Sequence, residues 1–170
     1  MWQRRWGKRT APGAVTTGGA MKTFRLFGAI KLRHPPAVVW ALVAPAEKSV
    51  LLLPEQVARA FTVPGTGPGL GEQQAHVDHD GQASIIEIIE FEEGRRAVTR
   101  SVSPKAPVPM RFVTTVEPLG LGSVLTWGME FDAPASTMWG KEHQESLREW
   151  AMTYLNRVRR ALDEETSVTD

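Results

Sequence analysis

Residues 137–162 place apolar side chains at three- and four-residue steps. Leu147, Trp150, Ala151, Tyr154, Leu155, Val158 and Leu162 fall on one side, while Glu145, Arg148, Glu149, Asn156, Arg157, Arg159 and Arg160 fill the other. This period predicts one long amphipathic helix with a broad apolar stripe, and such a stripe has to be covered. Residues 55–133 carry a different signal, short β-branched and aromatic runs punctuated by Gly and Pro, which reads as strands and turns. Short turns join neighbours only as antiparallel pairs. One helix and one such sheet predict an α+β fold in which the sheet curves around the helix, an arrangement that leaves room for a cavity.

The remaining elements follow from local chemistry. Residues 22–32 alternate Phe24, Leu26, Ile30 and Leu32 with polar neighbours such as Arg25 and Lys31, the pattern of a first strand. His34-Pro35-Pro36 ends it and supplies proline for the first turn of a short helix over 37–44. Residues 46–53 read as a second helical turn or a loop. Strands are expected at 55–63, 72–78, 83–92, 95–102, 110–117 and 123–132. Between the first two lies the turn GTGPGLG. Asp80-Gly81 marks a hairpin, and the connections SPKAPVP and PLGLG have turn composition.

Composition excludes several classes of function. A chain of 170 residues is the size of one domain and can bury roughly 70% of its unfolded surface. The formal net charge of +1, with both signs interspersed, gives no argument for a nucleic-acid partner. There are no cysteines, which removes disulfides, thiol catalysis and thiolate metal sites and fits a reducing cytoplasm. No apolar run approaches the length of a bilayer span, so no integral membrane contact is expected. The first twenty residues begin with Trp2, Arg4, Arg5, Trp6, Lys8 and Arg9 but continue without the apolar core of an export signal. They read as a flexible tail, with the domain at 21–165 and a short tail at 166–170.

Three local patterns resemble the START-like, or SRPBCC, superfamily, which includes the birch-pollen allergen and the polyketide cyclase/dehydrase group. These are PPAVVWALVAPAEK around Trp40, the loop and strand VPGTGPGLGEQQAHV, and the ending GSVLTWGMEFDAP before the helix. With the order of elements, the resemblance covers nearly all of residues 21–165. It implies the helix-grip fold: a seven-stranded antiparallel sheet around a long C-terminal helix, with two short helices after the first strand. Leu51, Leu52 and Leu53 depart from the Trp-polar stretch that many members carry there. The superfamily hosts lipid carriers, hormone receptors, cyclases and chaperone activators, so the resemblance speaks to fold more than to function.

Candidate site residues come from the periods of the strands and helix. Leu125, Trp127, Met129 and Phe131 share one face of the last strand, which should meet the helix stripe of Leu147, Trp150, Ala151, Tyr154, Leu155 and Val158. Each suits a packed core, and the set also suits the apolar, aromatic wall of a ligand pocket. Gly28 and Gly128 leave room where the sheet bends. Glu87 lies in ASIIEIIEFE, where one register turns it inward beside Ile85, Ile89 and Phe91. The other register turns Ile86 and Ile88 inward, leaving Glu87 in water and Glu90 buried. An inward Glu87 would be a candidate acid or base, with Arg100 as a cross-strand partner and Tyr154 as a buried hydroxyl. His76, Asp78, His79 and Asp80 have metal-ligand chemistry but no supporting spacing elsewhere, so no metal is expected. His34 and His143 are isolated. No nucleophile elbow, Walker or dinucleotide-binding glycine pattern occurs, and no cofactor is expected.

Three functions fit these features. The first is binding or transport of a hydrophobic small molecule (a lipid, isoprenoid or aromatic polyketide) in an internal cavity, without catalysis. The second is a cyclase/dehydrase-like enzyme that folds a reactive chain in that cavity. The third is a protein-interaction module such as a chaperone or ribosome-associated regulator, which would show a filled cavity and an exposed apolar patch.

Overall fold

The computed structural model describes residues 21–102, 110–134 and 141–167. Strand β1 (Met21–Leu32) leads to helix α1 (Pro36–Val43), a 3-10 turn (Ala46–Lys48) and helix α2 (Ser49–Leu52). Strands β2 (Arg59–Thr62), β3 (Gln73–Val77), β4 (Ala83–Glu92), β5 (Arg96–Ser101), β6 (Met110–Leu119) and β7 (Gly122–Pro134) follow, and helix α3 (Lys141–Ser167) closes the chain. The seven strands form one sheet in the order β1-β7-β6-β5-β4-β3-β2. Every neighbouring pair is antiparallel. The two short helices carry the chain between the sheet's edges, from β1 to β2.

The helix grips the sheet near one edge. Its stripe of Leu147, Ala151, Tyr154, Leu155, Val158, Ala161 and Leu162 is buried, and α3 packs chiefly on β1. Gly28 makes that approach possible, because a Cβ there would sit 2.8 Å from Leu155 Cδ1 and 2.9 Å from Met152 Sδ. The core beneath it combines Ile30, Leu32, Val39, Leu42, Val116 and Leu125 with the helix. Each such side chain contributes about 1.5–3 kcal/mol by leaving water. Val39 and Leu42 give α1 its buried side, and Pro36 opens that helix where its missing N–H costs nothing. Buried Ser123 donates to His34 O at 2.9 Å, fixing the start of β7 against the turn into α1.

Two boundaries differ from the sequence expectation by more than two residues. The strand expected over 55–63 begins only at Arg59, because Leu53 O accepts from the backbone N–H of Gln56 and Val57 and holds that stretch in a turn. The last helix passes 162 and runs to Ser167, into the expected tail. Acidic residues are unfavourable at a helix C-terminus, but here they meet basic side chains from the first connection. Asp163 faces Arg33 at 3.6 Å and His34 at 3.4 Å, and Glu165 faces Lys48 at 3.9 Å. The expected N-terminal tail, the SPKAPVP connection and the expected first turn of the helix lie outside the described residues.

Register settles β4 in a third way. Ile86 and Ile88 face inward and Glu87 faces out, but a shift in pairing between Ile88 and Glu90 interrupts the alternation. This β-bulge adds one residue to the strand. Glu90 therefore turns outward to Arg96 at 3.0 Å instead of being buried, and Phe91 turns inward. The outer face carries a cross-strand charged row: Arg25 pairs with Glu130 at 3.1 Å, Arg111 with Glu130 at 3.5 Å, and Arg100 with Glu87 at 2.8 Å.

Candidate ligand cavity

Because α3 rests over β1 and β7, the concave face of β3 to β6 is left uncovered. The space between that face, α3 and the α1–α2 connection is a cavity of about 1100 Å³, large enough for a ligand of drug size or more. One wall is apolar and aromatic. Met110 and Phe112 of β6, Trp127 and Met129 of β7, and Leu147, Trp150 and Tyr154 of α3 line it. Their rings form one connected cluster. Trp127 lies 4.3 Å from Tyr154 and 4.9 Å from Trp150 between centroids, and Phe112 lies 6.1 Å from Trp127. Trp150 stands edge-on to Trp127 and Phe112, so the rings rigidify one another and line the cavity with both faces and edges.

The facing wall is polar. Gln74 and His76 point inward from β3, flanked by Glu72 and Asp78. Glu72 accepts from Gln74 Nε2 at 2.8 Å, Gly69 N at 3.2 Å and Thr62 Oγ1 at 3.3 Å. These bonds lock the Gly-rich turn. Gly69 has φ +91°, and a Cβ there would press on the Phe91 ring at 3.1 Å, so glycine is required on both counts. Phe91 in turn meets Trp40 of α1 at 6.1 Å.

Two titratable side chains in the cavity are shifted by burial. Desolvation holds the His76 imidazole below its ordinary pKa, so it stays neutral. Burial pushes the Tyr154 hydroxyl well above its ordinary value, so it stays protonated and able to donate. No hydrogen bond to that hydroxyl occurs among the described residues, and Tyr154 is only 5% exposed.

The sequence-derived site residues divide by position. Trp127, Met129, Leu147, Trp150 and Tyr154 line the cavity. Leu125, Phe131, Ala151, Leu155 and Val158 lie in the core clusters and do not reach it. Glu87 and Arg100 pair on the outer face, away from it. His79 Nε2 donates to Pro54 O at 2.7 Å, and Asp78 Oδ1 accepts from the backbone of Asp80 and Gln82. No three His, Asp or Glu side chains among the described residues are placed to hold a metal. Sequence reasoning missed Trp40 and Phe112, together with the polar row on β3, and turned Phe91 inward only in the register that also turned Glu87 inward. The signal for that row is a run of polar residues at every second position, Glu72, Gln74, His76 and Asp78, with Ala75 and Val77 between them.

A seven-stranded antiparallel sheet gripping a C-terminal helix around an internal cavity defines the SRPBCC, birch-pollen-allergen-like class. Within it, residues 25–163 match the family model described as polyketide cyclase / dehydrase and lipid transport, and the chain belongs to that family. Among solved structures, Ara h 8.0201 superposes with a TM-score of 0.63 at 16% identity, covering 85% of this chain and 99% of that one. Protein MLL2253 from Mesorhizobium loti gives 0.61 at 14% identity, covering 84% and 98%. At these identities the likeness is one of fold. No curated protein matches the sequence. No helix among the described residues is long and apolar enough to cross a membrane.

Proposed function

We propose that this protein binds or carries a hydrophobic small molecule, of lipid, isoprenoid or aromatic polyketide type, in the cavity beside α3. The observation that carries the reading is a partly open space of about 1100 Å³ whose β6–β7–α3 wall is aromatic and apolar. A sheet of this curvature would bury the same side chains against one another if the space were merely core. The matched family includes lipid transport, which supports the same reading.

The test is native mass spectrometry of the purified protein, with extraction of bound lipid, alongside titration with a neutral polarity-sensitive dye. Trp40, Trp127 and Trp150 line the cavity, so a bound guest should quench or shift tryptophan emission. A clean apo mass, together with absent dye binding, overturns the proposal.

A second reading, catalysis on the held molecule, is favoured by an imidazole, His76, and a phenol, Tyr154, lining one cavity. His76 is then a proton acceptor and Tyr154 a hydrogen-bond donor to a developing oxyanion in a cyclisation or dehydration. Turnover of a polyketone chain that disappears in His76→Gln and Tyr154→Phe supports it. Unchanged turnover in both variants rejects it.

A further inference from the structure

The cavity's charge pattern narrows the ligand further, given the cavity-binding reading above. The charged residues among its described lining are Glu47, Glu72 and Asp78, all carboxylates. No Lys or Arg stands among them. Asp78 Oδ1 is occupied by two backbone N–H groups at 3.0 and 2.8 Å, while its second oxygen has no partner among the described residues. Gln56, in the same lining, holds a buried Oε1 with no partner among the described residues. His76 Nε2, buried in the same lining, also has no partner among the described residues. The polar wall is therefore negative in charge and holds unoccupied acceptors. Opposite it, Tyr154 lines the cavity and brings a hydroxyl with no hydrogen-bond partner among the described residues.

We infer that the cavity selects amphipathic ligands whose polar end is an uncharged hydrogen-bond donor, a hydroxyl or phenol, and rejects those that end in a carboxylate or phosphate. The ring system of such a ligand lies against Trp127, Trp150 and Tyr154, and its hydroxyl reaches the wall of Gln74, His76 and Asp78. A negative head would face the carboxylates with no cation among the described lining to offset them. A hydroxyl gains a bond to acceptors that otherwise lack one. Free fatty acids and anionic phospholipids are thus disfavoured within the broader lipid class, and neutral isoprenoid or polyphenolic molecules are favoured.

Three probes with one ring system separate these cases: pyrenebutanol, pyrenebutyrate and butylpyrene, each titrated by fluorescence at low and high salt. Pyrenebutanol should bind about tenfold or more tighter than pyrenebutyrate, with the gap narrowing at high salt. Asp78→Asn, which keeps the oxygen that caps the hairpin, should raise pyrenebutyrate affinity severalfold and leave butylpyrene unchanged. Should that variant fail to fold, Glu47→Gln on the exposed 3-10 turn gives the same readout. Equal or tighter binding of pyrenebutyrate overturns the inference, as does a ratio unaffected by either variant. Butylpyrene binding without any head-group preference removes the selectivity and leaves the cavity reading standing. Failure of all three probes to bind removes both.

Discussion

Tyr154 of α3 stacks on Trp127 of β7 with ring centroids 4.3 Å apart and planes inclined by 24°. The contact joins helix to sheet and also forms the floor of the cavity. Its apolar body and its hydroxyl therefore separate on mutation. Tyr154→Phe keeps the stack and removes a hydroxyl that has no partner among the described residues, so unfolding free energy should change by less than about 1 kcal/mol. Tyr154→Ala removes the stack and should cost about 3–5 kcal/mol. Urea denaturation of both variants checks this, and equal losses in the two would contradict it.

Gly28 allows α3 to lie close on β1. A methyl group at that position would enter the space of Leu155, which is fully buried, and Met152, which is half-exposed and can move. Gly28→Ala should destabilise by about 1–3 kcal/mol and Gly28→Val by more. Thermal unfolding followed by tryptophan emission measures the order. A neutral Gly28→Val would show that the helix has freedom to lift.

His76 makes stability depend on pH. Burial lowers its folded pKa below the ordinary 6.5. Once the pH falls below that value, the unfolded chain takes a proton that the folded chain resists. Stability should therefore decline as pH drops from about 7 toward 5. His76→Gln should lose less over that interval than the parent protein, as measured by chemical denaturation at each pH. Parallel losses would assign the decline to other groups.

Arg157 of α3 reaches Glu55 in the turn before β2, with Nη1 donating to Oε2 at 2.7 Å. The Arg157 hydrogen bond holds the Glu55 carboxyl below its ordinary 4.5. A depressed carboxylate stabilises above its unfolded pKa, and that contribution fades as pH falls from there through the folded value. Glu55 is about half exposed, so Glu55→Gln should cost no more than about 1 kcal/mol near neutral pH. The difference should disappear in acid. A loss that persists well below pH 4 would point to the backbone of the turn rather than to the charge pair.

Most of the architecture was readable from periodicity. Helix α3 announces itself by apolar residues spaced at its turn length, and the strands by β-branched alternation between Gly and Pro turns. Their order leaves few ways to cover the helix stripe, and the helix-grip arrangement follows. The site was less legible. Leu125, Trp127, Met129 and Phe131 are equivalent in spacing, yet Trp127 and Met129 line the cavity while Leu125 and Phe131 are sealed in core. The position at which α3 crosses the sheet decides between them, and that depends on the close approach over Gly28, a contact between residues far apart in the chain.

Glu87 shows the same boundary. Alternation offered two registers for β4, and the bulge after Ile88 produced a third result, with Glu87 and Glu90 both on the outer face and Phe91 turned inward. A single inserted residue reverses every side chain beyond it, and pairing energy with β5 decides where it goes. The sequence alone therefore determined which segments are helix and strand, and that the long helix must be covered by the sheet, because hydrophobic period acts within each segment. Only the tertiary structure decided which apolar residues face open space, and that the opposite wall is acidic and holds unoccupied acceptors. Those properties arise where separate segments fail to touch.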